Sequence, residues 1–213
     1  MSVEGLRHFG YHQSIMTSAS TQQLYRVKVG DIVLSVRDWP GTEPAFLLLH
    51  GLASNSLLWS GVAERLSAAG HRAIAIDQRG HGLSDKPDGS YGFDVFVEDL
   101  NRLIDALGLT QPPIIAGQSW GGNVVLAFGA EHPERARGLA FIDGGFLNLH
   151  SEMPDWDVVA ERLRPPQLTG IKPDFLRERI RIGHPDWSTQ AVESVLGNFA
   201  VDSDGGLRAN LTL

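Results

Sequence analysis

The sequence predicts an α/β fold: a mostly parallel sheet with helices on both faces, followed by a helical lid. Three observations carry this prediction. Short apolar runs of strand length alternate along the chain with stretches in which apolar residues recur every three or four positions. The later apolar runs are continuous, which is typical of strands buried on both faces. Beyond residue 145 the buried-strand signals stop, and proline and tryptophan become frequent.

Six strands are predicted. The first two alternate apolar and polar residues on either side of Gly30-Asp31, which indicates a hairpin at a sheet edge. The other four are continuous apolar runs. In chain order, the predicted strands are residues 24–29, 32–36, 45–49, 73–76, 113–116 and 139–142.

Helical patterns lie between these strands. Residues 93–107 are the clearest case, because Phe96, Leu100 and Leu103 fall on one face and Gly108 follows as a stop signal. Residues 58–66 and 122–132 are the other two predicted helices. Single helices between successive strands predict right-handed crossovers, and hence a parallel sheet whose faces are both covered.

The chain is predicted to have three parts. Residues 1–21 are charged and polar and lack the apolar core of a signal peptide, so we expect a disordered leader and a cytoplasmic location. Residues 22–145 form the α/β core. Residues 146–213 form a helical lid, in which helical spacing returns at 175–182 and 192–199.

Composition excludes several classes of function. Lys and Arg total 18 and Asp and Glu total 25, and the net charge of −7 disfavours nucleic-acid binding, which needs clustered cations. The absence of cysteine excludes disulfides, cysteine zinc sites and a cysteine nucleophile. No apolar run approaches the ~20 residues that span a bilayer. Neither a nucleic acid nor a membrane is therefore the expected partner.

One motif carries chemistry. Gly117-Gln118-Ser119-Trp120-Gly121 fits the pattern G-x-S-x-G, and it stands directly between a predicted strand and a predicted helix. A tight turn at this place lifts the serine hydroxyl above the strand end, while Gly117 and Gly121 let the strand and helix approach closely. Ser119 is the candidate nucleophile. The alternative is a glycine-rich turn with an incidental serine.

Two further segments accompany this motif. Residues 48–52 read Leu-Leu-His-Gly-Leu, and residues 77–85 read Asp-Gln-Arg-Gly-His-Gly-Leu-Ser-Asp. With all three motifs in this order, residues 25–145 resemble the α/β-hydrolase superfamily, in its serine-nucleophile, lid-containing form. The resemblance implies a small-molecule substrate and an acyl-enzyme mechanism, with no metal ion and no organic cofactor. A small, largely apolar ester is the default substrate, and hydrolysis of an amide or a carbon–carbon bond stays open, because all three reactions use the same elbow. It disfavours epoxide opening and dehalogenation, because the relatives that do so carry aspartate where this chain has Ser119.

The resemblance also implies roles for the neighbours of Ser119. The backbone N–H groups of Leu52 and Trp120 would form the oxyanion hole, and their side chains would wall the pocket. His50 and Gly51 would belong to the oxyanion loop as structural residues. Arg79, His81 and Asp85 are expected to brace the second loop.

The general base is the missing part. The superfamily pattern has about eight strands, with the acid usually after the seventh and the histidine after the last. Only six strands are predicted here, so the last strands are missing. Three histidines follow Ser119, and none follows a seventh or eighth strand: His132, His150 and His184. Asp143, at the end of the sixth strand, is a candidate acid, with a purely structural role as its alternative.

The sequence therefore leaves two interpretations open. The first is a serine hydrolase. The second is a catalytically incomplete chain: a truncated product, half of a split enzyme, or a binding module. An incomplete sheet would expose an unpaired strand edge, so this second interpretation predicts self-association or dependence on a missing C-terminal half.

Overall fold

The computed structural model describes residues 22–146, 155–164 and 168–210. The predictions made for residues 1–21 and for His150 lie outside this range. A six-stranded sheet forms the centre, and its members correspond to the six predicted strands, with longer ends. They are β1 (Gln23–Val29), β2 (Ile32–Trp39), β3 (Thr42–Leu49), β4 (His71–Asp77), β5 (Ile114–Gln118) and β6 (Gly138–Ile142).

The strand order is β1-β2-β4-β3-β5-β6. The β1–β2 and β2–β4 pairs are antiparallel, while β4, β3, β5 and β6 run parallel to one another. The predicted edge hairpin and parallel sheet are thus both present. Since β3 and β5 are neighbours, the loops that follow them lie side by side at the carboxyl edge, where sheets of this type bind ligands.

Helices cover both faces of this sheet. On one face lies α1 (Ser60–Ala68), preceded by a 3-10 turn at Ser56–Trp59, and on the other lie α2 (Phe93–Ala106) and α3 (Trp120–Glu131). Alternate residues of β4 enter the two cores, because successive strand side chains point to opposite faces. Ala73 and Ala75 belong to the α1 side, and Ile74 and Ile76 to the α2 and α3 side. The predicted α/β class is confirmed.

The remaining described residues form a cap. It contains α4 (Trp156–Leu163), α5 (Pro173–Gly183), α6 (Thr189–Leu196) and a hairpin of β7 (Phe199–Val201) and β8 (Leu207–Ala209). The hairpin departs from the expected all-helical lid. Residues 192–199 were predicted as helix, yet α6 ends at Leu196 and β7 begins three residues later. Strands of three residues are too short to produce a recognisable alternation.

The cap rests on the loops that leave the carboxyl ends of β3 and β4. Asn55, after β3, bonds to the backbone of Ser194 in α6, and Asn210, after β8, donates to the Gly82 carbonyl in the loop after β4. The cap therefore sits at the same edge of the sheet as Ser119.

The β6 edge of the sheet is open among the described residues. There β6 pairs only with β5, and apolar side chains on both sides of it are partly exposed. Leu139, Phe141 and Ile142 are 37–43% exposed, and Leu126 on α3 is 49% exposed. Within the described residues, no helix is long and apolar enough to cross a membrane.

Candidate active site

Ser119 occupies a strained turn between β5 and α3. Its backbone has φ 51° and ψ −118°, a conformation that costs a non-glycine residue about 1–3 kcal/mol. Backbone hydrogen bonds on both sides of this residue maintain it. The Ser119 N–H donates to the Ile142 carbonyl at 2.9 Å, and the Ser119 carbonyl accepts from the Gly122 N–H at 2.9 Å. The end of β6 and the first turn of α3 thus hold this residue in place.

Close backbone packing explains the two glycines of the motif. A Cβ on Gly117 would overlap the Gly121 carbonyl, and a Cβ on Gly121 would lie 2.5 Å from the carbonyl oxygen of Leu49. Neither position has room for a larger residue. These glycines allow β3, β5 and α3 to meet at Ser119.

The loop after β3 lies against Ser119. A Cβ on Gly51 would stand 3.1 Å from the Ser119 Cβ and 2.6 Å from the Gln118 Oε1, so the two backbones are in near contact. Leu52 follows directly, and Trp120 is the first residue of α3. Leu52 is thus one residue from the contact with Ser119, and the N-terminus of α3 begins one residue after Ser119. The oxyanion role of the two backbone N–H groups stays a prediction.

The Trp120 ring packs against α2. It stacks on Phe93 with ring centroids 4.4 Å apart and meets Phe96 edge-on at 5.8 Å. The pocket-wall role expected for this side chain stays a prediction, and the observed contacts are with α2. Through this ring, the turn that contains Ser119 packs on the N-terminal end of α2.

His50 is fully buried beneath the loop. Its Nδ1 lies 2.7 Å from the Gly51 carbonyl oxygen, and its Nε2 accepts from the Gln78 N–H at 3.1 Å. Burial, with the nearby His81 as a smaller cause, lowers the pKa of His50 to about 4. Both ring nitrogens of a neutral imidazole are thus engaged. In this geometry His50 braces the loop and offers no free nitrogen to Ser119.

His81 makes the same kind of brace from the loop after β4. Its Nδ1 lies 2.9 Å from the Arg79 carbonyl oxygen, and its Nε2 accepts from the Ala53 N–H at 3.3 Å. Its ring lies 5.0 Å from that of His50, and burial lowers its pKa. The two histidines join the loop after β4 to the loop after β3.

Carboxylates complete the bracing of the β4 loop. Asp77 accepts from the backbone N–H groups of Ser56 and Leu83 at 2.6 and 3.0 Å. Asp85 accepts from the Val33 N–H at 2.8 Å. Arg79 forms a two-pronged ion pair with Asp99 of α2, at 2.7 and 2.9 Å. The motif at residues 77–85 therefore has a structural role in the site.

Asp143 lies beside the elbow through its backbone. It is exposed at the end of β6 with φ 50°, and the next residue, Gly144, is packed so tightly on the Ser119 carbonyl that a Cβ there would overlap it. This position is compatible with the proposed acid, and it equally serves the packing of β6 on the elbow.

The histidines beyond Ser119 lie elsewhere. His132 ends α3, with its ring 5.3 Å from that of Phe128, and a 12-residue helix separates it from Ser119 by about 18 Å. His184 ends α5 and is exposed, stacked on Trp187 at 4.0 Å. Within the part of the chain that the structure describes, no histidine is hydrogen-bonded to Ser119.

Two residues of the site were not singled out from the sequence. Gln78 donates its side-chain amide to the His50 carbonyl at 2.6 Å, and Asn55 caps the 3-10 turn that follows the loop after β3. Asn55 stands three residues before the predicted helical pattern at 58–66, and asparagine is a favoured N-cap residue. Gln78 has no comparable local signal, because its partner lies 28 positions earlier in the chain.

This chain is similar to several known proteins. The family model described as alpha/beta hydrolase fold matches residues 44–183. The chain is 38% identical over 118 residues to 2-(acetamidomethylene)succinate hydrolase of Mesorhizobium japonicum, covering 55% of this chain and 41% of that protein. It is 32% identical over 217 residues to a serine hydrolase-like protein of Danio rerio, covering 94% and 64%. The chain thus spans less than two thirds of the length of these curated relatives.

Solved structures share the same fold. The crystal structure of E-2-(acetamidomethylene)succinate hydrolase matches with a TM-score of 0.75 and 29% identity, over 90% of this chain and 69% of that one. A thioesterase domain from the curacin biosynthetic pathway matches with a TM-score of 0.73 and 21% identity, over 90% and 72%, which shows the fold alone. Together with the elbow and the loops that surround it, the family match shows that this chain belongs to the alpha/beta hydrolase fold family.

Proposed function

We propose that this protein is a serine hydrolase that acts on a small, largely apolar ester through an acyl-enzyme. The strained backbone of Ser119, with Gly51 against its Cβ, is the observation that carries the proposal. Strain of this kind persists where the surrounding structure enforces it, and it gathers at catalytic positions. Relatives named as hydrolases support the same class of reaction.

The proposed reaction has two steps. The Ser119 Oγ attacks the carbonyl carbon while a base takes its proton. The backbone N–H groups of Leu52 and Trp120 then donate to the oxyanion, which the N-terminus of α3 also favours. Collapse breaks the bond to the alkoxide, which leaves with the proton held by the base. Water repeats the sequence on the acyl-enzyme and releases the acid. Asp143 is the proposed partner that orients the base.

We propose that the base comes from polypeptide outside the described residues. A serine hydroxyl is a weak nucleophile until a base activates it, and the described histidines are engaged elsewhere. The open β6 edge offers a place for a further strand beside Asp143 and Ser119. A missing C-terminal half is the proposed occupant, and a second copy of this chain is the competing one.

Covalent labelling tests the nucleophile. The protein and its Ser119→Ala variant are incubated with a fluorophosphonate and measured by intact mass. We expect one adduct to form slowly on the unaltered protein, because the described histidines are engaged elsewhere and do not activate Ser119. We expect none on the variant, because phosphonylation needs the Ser119 Oγ. An adduct that survives in Ser119→Ala would overturn the assignment.

The rate of ester hydrolysis tests whether this chain contains its own general base. Without a base, we expect hydrolysis of p-nitrophenyl acetate to be slow, with only ~10³–10⁴-fold acceleration over water from the oxyanion hole and binding. A stable monomer with full turnover that Ser119→Ala abolishes would show that the base lies within these 213 residues. Since one relative is named for 2-(acetamidomethylene)succinate, that compound is tested beside the esters. Faster turnover of it would contradict the apolar ester.

A further inference from the structure

We propose that Asn55 is a positioning residue. Its hydrogen bonds make the position of the oxyanion loop, which contains Leu52, depend on the position of the cap. Its side-chain amide joins the α/β core to the cap, and it lies three residues after Leu52 in the chain. The inference rests on the proposed function, because it acts through the Leu52 N–H. The structural coupling itself can be measured separately from catalysis.

Each end of the Asn55 amide has a different partner. The Oδ1 accepts from the Leu57 N–H at 2.9 Å and so begins the 3-10 turn on the core side. The Nδ2 donates to the Ser194 carbonyl at 3.0 Å and to the Asn198 Oδ1 at 2.5 Å, both on the cap side. Asn55 is only 3% exposed, so these bonds form away from competing water. One side chain thus ties the start of the turn to the end of α6.

The backbone between Leu52 and Asn55 is tightly constrained. Ala53 has φ 56°, and its N–H donates to His81. The Ser54 N–H donates to the Gly51 carbonyl at 3.3 Å, which closes a tight turn. Gly51 in turn lies against Ser119. A displacement of Asn55 therefore reaches the Leu52 amide through a short, hydrogen-bonded turn and not through a flexible loop.

Packing around the junction is equally close. A Cβ on Gly197 would lie 2.9 Å from the Leu57 Cδ1 and 3.2 Å from the Asn55 Nδ2. The end of α6 is thus seated directly on the 3-10 turn. If the cap shifts, the turn and the Asn55 amide must shift with it or lose their hydrogen bonds.

The cap offers a matched control contact. Gln190 of α6 donates its side-chain amide to the Glu64 Oε1 of α1 at 2.7 Å, on the exposed side of the cap and away from the oxyanion loop. Asn55→Asp and Gln190→Glu make the same chemical change, since each replaces an amide donor by a carboxylate that faces an oxygen atom. Both weaken the attachment of the cap, but only Asn55→Asp touches the segment that leads to Leu52.

The experiment compares the unaltered protein with these two variants. Fluorophosphonate labelling of Ser119 is followed by intact mass, and amide hydrogen exchange is followed over residues 51–58. For Asn55→Asp we expect labelling to slow by about 10–100-fold and exchange at 51–58 to rise, because displaced oxyanion donors lose transition-state contacts. For Gln190→Glu we expect labelling within about twofold of the unaltered rate. Equal slowing in both variants, or unchanged labelling in Asn55→Asp, would overturn the proposal.

Asn198→Ala provides a second route to the answer. It removes one acceptor on the cap side and leaves the bond from the Leu57 N–H to Asn55 intact, so we expect a smaller slowing in the same direction even if Asn55→Asp fails to fold. Unchanged labelling and exchange in Asn198→Ala would then overturn the proposal. If the unaltered protein takes no label, the proposed function fails, and exchange at residues 51–58 still decides whether Asn55 couples the cap to the loop.

Discussion

At the scale of single residues, burial decides what a histidine near Ser119 can do. His50 and His81 carry the side chain most often used as a general base, yet both are buried and accept hydrogen bonds from backbone N–H groups. Those N–H groups need a neutral acceptor. Proton uptake by either ring would break a bond that joins two loops of the site.

These histidines predict acid sensitivity. The pKa of His50 is lowered to about 4 by burial, from an unfolded value of 6.5. Between these two pH values the unfolded chain binds more protons than the folded one, so stability is fully present above about pH 6.5 and is lost as the pH falls toward 4. We expect a loss on the order of 3 kcal/mol for His50. Urea denaturation at several pH values measures it.

Two variants test whether His50 causes this pH dependence of stability. His50→Gln keeps a neutral acceptor at every pH, so the folding free energy of this variant should depend less steeply on pH in that window. His184→Gln, at the exposed end of α5, should keep the slope of the unaltered protein. Equal slopes in all three proteins would show that His50 is not the titrating group.

At the scale of elements, one buried ion pair connects the β4 loop to α2. Arg79 and Asp99 meet through two hydrogen bonds, and each side chain is only 9% exposed. Because α2 also packs on the Trp120 ring, this pair holds the loop and the helix in one arrangement around the elbow.

Removing one partner of this pair should cost more than removing both. Arg79→Met or Asp99→Leu alone leaves a buried charge without its partner, and we expect each to lower the free energy of unfolding by about 3–5 kcal/mol. The double variant leaves no charge and should lose less than either single one. Chemical denaturation gives the three values.

The surface of the same helix supplies the control. Arg102 and Glu98 form an ion pair four residues apart with both side chains 47% exposed, so Glu98→Gln should cost less than about 0.5 kcal/mol. A double variant at Arg79 and Asp99 that loses the sum of the two single losses would contradict the coupling.

At the scale of the whole molecule, the sheet has two unlike edges. The β1 edge belongs to a hairpin whose strand alternates exposed and less exposed residues, whereas β6 is a short parallel strand with apolar side chains partly exposed. An unpaired strand of the second kind is a template for pairing with another chain.

We expect this protein to self-associate through β6 in the absence of a complementing segment. Ile142→Lys places a charge at that edge, and an edge lysine opposes strand pairing. We expect this variant to raise the dissociation constant of self-association several-fold, as measured by sedimentation. Leu24→Lys, on β1 and 49% exposed in the unaltered protein, should leave association unchanged. A protein that stays monomeric at all concentrations, or equal effects of the two lysines, would contradict this prediction.

The sequence by itself determined the features that depend on neighbours in the chain. Alternation and continuous apolar runs located the six strands, and the strand–turn–helix pattern around Ser119 predicted the elbow, because both arise from residues within a few positions of one another. The short β7–β8 hairpin escaped, since three residues carry no period.

Only the tertiary structure decided how the parts of the site are held. The amide of Asn55 meets the Ser194 carbonyl across 139 positions of sequence, and the Nε2 of His50 meets the Gln78 N–H across 28. Such contacts follow from the strand order β1-β2-β4-β3-β5-β6, which brings the loops after β3, β4 and β5 to one edge. Burial at that edge then lowers the pKa of His50 and removes it as a base. The residue type is written in the sequence, but the environment that sets its chemistry is made by distant segments that meet only in the fold.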